Sequence, residues 1–416
     1  SASGIRLPVE NKRRKTMAYK TLDDSTIVDY ARSKTDVFPR GAELEGREFG
    51  DGNLNLIFRV RDTGTGKSIV IKQALPHARI DDSIVTPLER ARIESEMLVL
   101  HHRFAPGLAP EIYFYDPEMY AIGMQDLADH QVLRQAMIEG KQFPGLAEHL
   151  GDFVAKSTFP TTDVGMDQQE KKRMVANFIN PELCKITEDL IFSEPYFDAP
   201  GNKIDPEIRQ RAEENFRDSA YRKEVAVLKE KFMTQAQALI HGDLHTGSVF
   251  VKEGSTKAFD PEFGFFGPIG FDLGLIMGNL IPNHASQLWH KRDDSDDRAA
   301  YRAWIEEVFS GIWTRFDQTF RDLWKQNVKT PMESNPDYLD DYMARLFSDA
   351  IGYAATAMVR RIVGLAQVKD IRSIPDADVR ARAQIQVLDI GREFTMRRNE
   401  YRNISEVVET IRKHTV

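Results

Sequence analysis

Acidic residues stand on both sides of a predicted β-hairpin near the middle of the chain. Asp243 lies in the run His-Gly-Asp-Leu-His at 241–245, and Asp-Pro-Glu follows at 260–262. The residues between them form an apolar run, a polar turn and a second apolar run, which is the pattern of a hairpin. Because alternate side chains of an extended segment face the same way, Asp260 and Glu262 can present two carboxylates together. Hard oxygen ligands of this kind suit Mg²⁺, which takes one or two protein carboxylates together with substrate phosphates.

Asp243 precedes the hairpin, on the loop that follows a short apolar stretch. A carboxylate in this place can accept the proton of an attacking hydroxyl group. The spacing of the three acids is typical of phosphotransferases, which favours a phosphoryl-transfer site. The alternative is a surface hairpin that carries scattered acids.

The bulk properties restrict the class of protein. A length of 416 residues indicates about two lobes, and 41% hydrophobic with 29% charged residues is ordinary for a globular chain. The net charge of -8 argues against a general nucleic-acid partner, and no apolar run is long enough to cross a membrane. The single cysteine, Cys184, cannot form an internal disulfide, so we expect a reducing, cytoplasmic location.

The residues ahead of these acids divide into a leader and a β-rich segment. Residues 1–16 are polar and basic without periodicity, which predicts a disordered leader or the remnant of a tag. From residue 17 to about 126, apolar alternation predicts strands. A small-residue turn at 50–55 can let backbone N–H groups approach phosphates, and Lys72 ends a strand where its amine can reach them. An ordinary hairpin turn and a surface lysine are the alternatives.

Two further features belong to this part of the chain. A helix predicted over 87–101 carries Glu94 and Glu96, and either carboxylate can pair with Lys72. The alternative is that both are solvated helix charges, and the sequence does not choose among these possibilities. The β-rich segment ends at Gln125, Asp126 and Leu127, a hinge whose backbone can bind an adenine edge.

From residue 127 to residue 416 the composition is mostly helical. Helices are predicted over 21–32 in the first segment and, in this one, over 133–139, 146–158, 168–178, 206–237, 273–280, 299–325, 336–368 and 376–398. Asp272 either orients the loop around Asp243 through hydrogen bonds or caps the helix that follows it.

The helix predicted over 336–368 is apolar on nearly all sides and yet carries Arg360 and Arg361. Because adjacent helical residues point about 100° apart, both guanidinium groups cannot easily share one solvent-facing side. A buried charge is costly unless it is paired or lines a polar cavity. The two arginines therefore indicate either the binding of a sugar hydroxyl, carboxylate or phosphate, or a structural salt bridge.

These segments together resemble the small-molecule phosphotransferases of the protein-kinase-like fold, and more closely the methylthioribose kinases. The wider group, which includes aminoglycoside and choline kinases, shares His-Gly-Asp-Leu-His. Three features narrow the resemblance: the Thr-Gly-Ser that follows, Asp-Pro-Glu in place of Asp-Phe-Gly, and the twin arginines. The similarity extends from about residue 21 to residue 411, and the shared elements within it are 51–55, 71–76, 241–248, 260–263, 266–274 and 360–364.

The resemblance implies an α+β, bilobal protein-kinase-like fold. Its smaller β-rich N-terminal lobe, 17–126, would bind ATP, and its larger helical C-terminal lobe, 127–416, would carry the catalytic loop and the substrate site. The implied catalytic and substrate-binding residues are Asp243, Arg360 and Arg361. The implied contacts to ATP come from Asn55, Lys72, Gln125, Asp126, Leu127, Asp260, Pro261 and Glu262, with Mg²⁺ at Asp260 and Glu262.

Two departures from the family pattern are present. The family usually carries a tryptophan in a Gly-Glu-Ser-Trp-Pro loop after the lysine strand, where this chain has Asp82-Ser83-Ile84-Val85. The family hinge often has Glu where this chain has Gln125.

The implied activity is ATP-dependent phosphorylation of the 1-hydroxyl of S-methyl-5-thioribose, a step of methionine salvage, by a cytoplasmic homodimer whose partners include neither nucleic acid nor membrane. One alternative is another kinase of the same fold that acts on choline, an aminoglycoside or homoserine. A quaternary ammonium needs an aromatic and acidic pocket, and the twin arginines fit a neutral polyol better. A second alternative is a pseudokinase scaffold, against which the presence of Lys72, Asp243 and the Asp-Pro-Glu acids argues.

Overall fold

The computed structural model describes residues 19–49, 54–77, 86–287, 289–290 and 298–415. The predicted leader at 1–16, the turn residues 50–53 and the loop Asp82–Val85 lie outside these ranges. The chain divides into two compact units. The first contains the described residues up to Arg92 together with Tyr113–Met124, and the second contains Ile93–Ile112 and the residues from Gln125 onward.

The described residues of the first unit form a five-stranded sheet and one helix that lies wholly within the unit. Apolar side chains that alternate along the strands fill its core, and those of Phe58, Val60, Ile69 and Ile71 are completely buried. The sheet order is β1-β2-β3-β5-β4, with β1 antiparallel to β2 and β2 antiparallel to β3. The elements are α1 (Ile27–Lys34), β1 (Leu44–Glu48), β2 (Asn55–Asp62), β3 (Ser68–Ala74), α2 (Arg90–Phe104, mostly in the second unit), β4 (Ile112–Asp116) and β5 (Ala121–Gln125).

The second unit is mostly helical and holds two small sheets. One sheet has the order β6-β8-β9, and the other pairs β7 with β10. The strands are β6 (Gln131–Val132), β7 (Ala238–Ile240), β8 (Val249–Lys252), β9 (Ser255–Ala258) and β10 (Phe265–Gly267). The helices are α3 (Leu133–Ile138), α4 (Leu146–Thr158), α5 (Gln168–Asn177), α6 (Pro181–Phe192), α7 (Arg209–Arg217), α8 (Ser219–Thr234), α9 (Ile269–Ser286), α10 (Arg298–Asn327), α11 (Pro336–Val363), α12 (Lys369–Arg372), α13 (Ala377–Arg397) and α14 (Ile404–His414).

Helix α9 is the centre of the second unit, and every one of its residues is buried. Its glycines let α11 approach closely: a Cβ at Gly274 would lie 2.4 Å from the Cβ of Tyr353, and one at Gly278 would lie 2.4 Å from the carbonyl oxygen of Ala354. Any side chain at these two positions would force the helices apart. This packing sets where the first turn of α9 and the last turn of α11 lie in the unit.

The α+β class and the predicted hairpin over 249–259 are confirmed, and several helix limits are corrected. The helix predicted over 206–237 is two helices, because Asp218 is extended and its carboxylate accepts the N–H of Tyr221 at 3.0 Å as the cap of α8. The helix predicted over 21–32 begins at Ile27, since Asp23 accepts the N–H groups of Ser25 and Thr26 in a preceding turn.

The helix predicted over 273–280 is longer, Ile269–Ser286, because complete burial outweighs the low helix propensity of its glycines. The helix predicted over 336–368 ends at Val363, where Gly364 adopts an extended conformation. The sequence reading missed α6 and α14. Within the described residues, every helix is too short or too polar to span a membrane.

Candidate active site

The loop that carries Asp243 connects β7 to β8 and is held by the side chain of Asp272. This carboxylate, in the first turn of α9, accepts the backbone N–H of His241 at 2.7 Å and that of Gly242 at 3.0 Å. Of the two roles considered for Asp272, orientation of the loop is therefore the one observed. Gly242 has φ +80°, and a Cβ there would lie 2.3 Å from the carbonyl oxygen of Phe263. The loop conformation consequently requires glycine at this position.

His241 ties the same loop to the end of the hairpin. Its Nε2 donates to the carbonyl oxygen of Phe259 at 3.0 Å, and its Nδ1 accepts the N–H of Asp243 at 3.3 Å. The ring also stacks on that of His101, with 6.0 Å between ring centroids. The backbone on either side of Asp243 is thus fixed before any ligand binds.

The carboxylate of Asp243 lies between an imidazole and a guanidinium group. Its Oδ2 is 3.4 Å from Nε2 of His245, and its Oδ1 is 4.0 Å from Nη2 of Arg360. Burial alone raises the pKa of Asp243, but His245 and the twin arginines outweigh burial and hold this pKa well below the usual value. Because 27% of the side chain is exposed, the ionised carboxylate remains accessible to a ligand.

Arg360 and Arg361 are both largely buried, with side-chain exposures of 11% and 6%. Nη1 of Arg361 donates to the carbonyl oxygen of Ala366 at 3.0 Å. The Nε atoms of both arginines are buried without a hydrogen-bond partner. Burial, together with mutual repulsion, lowers the pKa of Arg361 well below its ordinary value. Among the described residues, the only carboxylate within ion-pair distance of Arg360 is that of Asp243, at 4.0 Å, so this arginine pairs with the carboxylate of the candidate site itself.

A third guanidinium group, that of Arg134 in α3, belongs to the same cluster and was not predicted from the sequence. Its Nε donates to Oγ1 of Thr246 and its Nη2 to Oδ1 of Asn279, each at 3.2 Å. Its Nε also lies 3.8 Å from Oδ2 of Asp370, a carboxyl whose pKa is raised by burial. No sequence signal distinguishes Arg134 from a solvated helix arginine, because its partners are more than a hundred positions away.

A second group of acids lies at the end of the hairpin. Ligand oxygens of Glu94, Asp260 and Glu262 lie within 4.8 Å of one another, and the first and last of these residues are buried. Asp260 has φ +67°, a left-handed conformation that is uncommon for a residue other than glycine. Three carboxylate oxygens in so small a space are a donor set that fits a hard divalent cation such as Mg²⁺. The sequence reading placed Asp260 and Glu262 together but considered Glu94 only as a partner of Lys72.

The other residues expected to contact ATP are distributed over both units. Asn55 and Lys72 are buried in the first unit, where Oδ1 of Asn55 accepts from Nη2 of Arg90 at 3.1 Å. In the second unit, the N–H of Gln125 already donates to the carbonyl oxygen of Glu111 at 2.8 Å. A backbone contact from Gln125 to adenine would therefore use its carbonyl oxygen.

The two remaining hinge residues and Pro261 lie in the second unit. The carbonyl oxygen of Leu127 accepts the N–H of His130 at 2.9 Å, and the side chain of Asp126 is half-buried. Pro261 is buried between the two acids of its motif. Glu96, the other candidate partner of Lys72, accepts from Nδ2 of Asn177 at 2.9 Å.

The substitution Asp272→Asn tests whether this side chain fixes the conformation of the loop that carries Asp243. The amide offers one acceptor instead of two, so one buried N–H loses its acceptor, at a cost of about 1–3 kcal/mol. We expect kcat to fall about 10²-fold through misplacement of Asp243. Asp349→Asn in α11 is the matched control, because Asp349 is equally buried and accepts from Nζ of Lys231 at 2.5 Å. That control should lose stability and keep its kcat; an Asp272→Asn variant that is folded and fully active would contradict the assignment.

Comparisons with known proteins show the family to which the chain belongs. A model of the phosphotransferase enzyme family matches residues 45–311. A methylthioribose kinase of Geobacillus sp. (strain WCH70) is 40% identical over 393 residues, which cover 94% of this chain and 95% of that protein. One of Geobacillus thermodenitrificans (strain NG80-2) is 41% identical over 92% of this chain and 94% of its own length. One of Yersinia pseudotuberculosis serotype IB (strain PB1/+) is 37% identical over 95% and 97%. The chain therefore belongs to the phosphotransferase enzyme family and, within it, to the methylthioribose kinases.

Proposed function

We propose that the protein transfers the γ-phosphoryl group of ATP to the 1-hydroxyl of S-methyl-5-thioribose, giving S-methyl-5-thioribose 1-phosphate for methionine salvage. The observation that carries this proposal is the accessible, ionised carboxylate of Asp243 beside a cluster of three guanidinium groups, one buried and two partly buried, in a chain about 40% identical to methylthioribose kinases. The family supplies ATP as the phosphoryl donor.

Asp243 is proposed to orient the sugar hydroxyl. Its surroundings hold its pKa well below the ordinary value, so it is a weak base. A weak base suffices, because phosphoryl transfer passes through a loose transition state in which the hydroxyl proton leaves late. The gain then comes from holding the oxygen in line with the phosphorus, which is an effect of position.

The arginines are proposed to bind the substrate and to offset the negative charge that develops on the transferred group. Arg134, Arg360 and Arg361 carry three positive charges, against two acidic groups, Asp243 and Asp370, in the same cluster. A cluster with surplus positive charge and buried N–H donors that lack partners is suited to an anion. The phosphoryl group is the anion that the reaction provides.

Glu94, Asp260 and Glu262 are proposed to hold Mg²⁺. When bound, the ion neutralises phosphate charge and helps to align the donor. On the nucleotide side, we propose that Lys72 and Asn55 contact the phosphates and that the carbonyl oxygen of Gln125, with Asp126 and Leu127, contacts the adenine.

The positive cluster also bears on the alternative substrates. Choline and aminoglycosides are cations, and their recognition needs acidic or aromatic surfaces. Around Asp243, guanidinium groups approach from α3 and α11 and would repel such ligands. A neutral sugar carries no such penalty. The cluster does not favour a pseudokinase scaffold either, because a scaffold gains nothing from three clustered arginines beside an ionised acid.

A panel of acceptors tests the proposal directly. Purified protein is incubated with labelled ATP and, separately, with methylthioribose, choline, an aminoglycoside and homoserine. We expect transfer to methylthioribose alone, and Asp243→Ala should lower kcat roughly 10³-fold while ATP still binds. Transfer to another acceptor only, or near-normal turnover by Asp243→Ala, would refute the proposal.

The metal assignment has its own test, read by binding rather than by turnover. Mn²⁺ titration followed by electron paramagnetic resonance, with a non-hydrolysable ATP analogue present, should show at least about tenfold weaker binding in Glu262→Gln and Asp260→Asn. Glu96→Gln is the matched control, since Glu96 lies on the same helix as Glu94 and bonds Asn177 instead. Unchanged Mn²⁺ affinity in both acid variants would remove these residues from the metal site.

A homodimer and a cytoplasmic location are proposed on the family resemblance. Burial raises the pKa of the single thiol, Cys184, to about 12, so its reactive thiolate form is rare at neutral pH. Light scattering of the purified protein measures the oligomeric state.

A further inference from the structure

His245, two positions after Asp243, has a hydrogen-bond pattern that fixes its protonation. Its Nδ1 accepts the backbone N–H of Gly247 at 2.9 Å and faces Nη2 of Arg134 at 3.4 Å. Both of these groups can only donate, so Nδ1 must carry a lone pair and no proton. In a neutral ring the proton then resides on Nε2, the nitrogen that faces Oδ2 of Asp243.

In the other neutral tautomer, Nδ1 would carry a proton and would point a third donor at two groups that can only donate. Oγ of Ser248 lies 3.1 Å from Nδ1, but its only proton goes to the carbonyl oxygen of Asp243 at 2.7 Å. A proton on Nδ1 could therefore reach Ser248 only by leaving Gly247 and Arg134 unsatisfied. A doubly protonated ring has the same defect. The charged groups that face the ring are Asp243 on its own loop, Arg134 on α3 and Arg361 on α11.

We propose that His245 is a positioning residue, held as the Nε2–H tautomer, whose ring donates to Oδ2 of Asp243 and so leaves Oδ1 to receive the sugar hydroxyl. Arg134 takes part by holding the ring from its far side, anchored in turn by Thr246 and Asn279. This inference rests on the proposed role of Asp243. Burial lowers the pKa of His245 to about 4, so the ring is neutral at neutral pH.

A carboxylate beside an acceptor hydroxyl can turn about its Cβ–Cγ bond and offer either oxygen. A fixed donor at Oδ2 removes that freedom, and Arg360, at 4.0 Å, is left on the side of Oδ1. The hydroxyl that binds Oδ1 would then lie on the side of the carboxylate where Arg360 lies, which is a side where phosphoryl charge can be offset. His245 therefore acts through Asp243 and contacts no reacting atom.

Two substitutions separate this role from a structural one. In His245→Gln the amide N–H can reach the place of Nε2, whereas the acceptor at Nδ1 is lost. In His245→Asn the amide oxygen can take the place of Nδ1, whereas the donor to Asp243 is lost. We expect His245→Gln to keep kcat within about tenfold of the wild type, and His245→Asn to lose about 10²-fold in kcat with little change in the KM for ATP.

The thermal stability of the two variants should follow the opposite order, because His245→Asn keeps the acceptor for Gly247 and Arg134. If His245 only supported the loop, kcat would follow stability, and His245→Asn would be the more active variant. That result, or equal kcat values for the two, overturns the proposal. Near pH 6.5, the ordinary pKa of histidine, the pH profile of kcat should have the same shape in the wild type and in His245→Gln. We therefore expect no step in the wild-type profile that disappears in His245→Gln.

The tautomer can be observed without any substrate. Nitrogen-15 NMR of the ligand-free protein, assigned with His245→Gln, should show an unprotonated Nδ1 and an N–H at Nε2; a proton on Nδ1 would contradict the inference. Failure of the proposed function would give a different result, because the wild type would not phosphorylate methylthioribose. The two variants would then be compared with whichever acceptor of the panel the wild type phosphorylates.

Discussion

The close packing of α9 against α11 is the constraint on which the catalytic unit depends. Gly274 and Gly278 leave no room for a side chain between the helices, so the two backbones come into contact. The first turn of α9 carries Asp272, which holds the loop of Asp243, and the last turn of α11 carries Arg360 and Arg361. The residue that holds the loop of Asp243 and the two arginines are thus attached to two buried, closely packed helices, so neither group can shift without the other.

The cluster of charged side chains around Asp243 costs folding free energy, and this cost is informative about what the site can bind. Burial lowers the pKa of Arg134 and of Arg361, and two buried Nε–H groups have no partner. Buried charge of this kind is destabilising unless something of opposite sign arrives, so folding free energy is held in the site until a ligand enters. The same positive charge makes Asp243 a poor base. In the proposed reaction, a site built in this way would gain its rate from alignment and from charge neutralisation in the transition state, with proton abstraction as a minor contribution.

Local chemistry explains which features could be predicted. The hairpin, its flanking acids and the lysine-bearing strand β3 follow from short-range alternation, which the sequence displays directly. The twin arginines were noticeable because charges interrupt an apolar helix. The sequence did not decide between the two roles of Asp272, because its hydrogen bonds reach a loop thirty positions earlier in the chain. Arg134 and Asp370 carried no signal at all: each is an ordinary charged residue until the fold places one beside the other. Helix limits failed where a single side chain, such as that of Asp218, offered the backbone another partner.

The acids at the end of the hairpin can be judged by their charge balance. Ligand oxygens of Glu94, Asp260 and Glu262 lie within 4.8 Å of one another, so full ionisation would place three negative charges close together. Such a group is stable only with positive charge beside it, and a divalent cation supplies two charges at one point. Glu96, two positions after Glu94 on the same helix, is absent from this group, and its carboxylate accepts from Nδ2 of Asn177. Charge balance and position therefore favour Glu94 over Glu96 as the third acid of the proposed Mg²⁺ site.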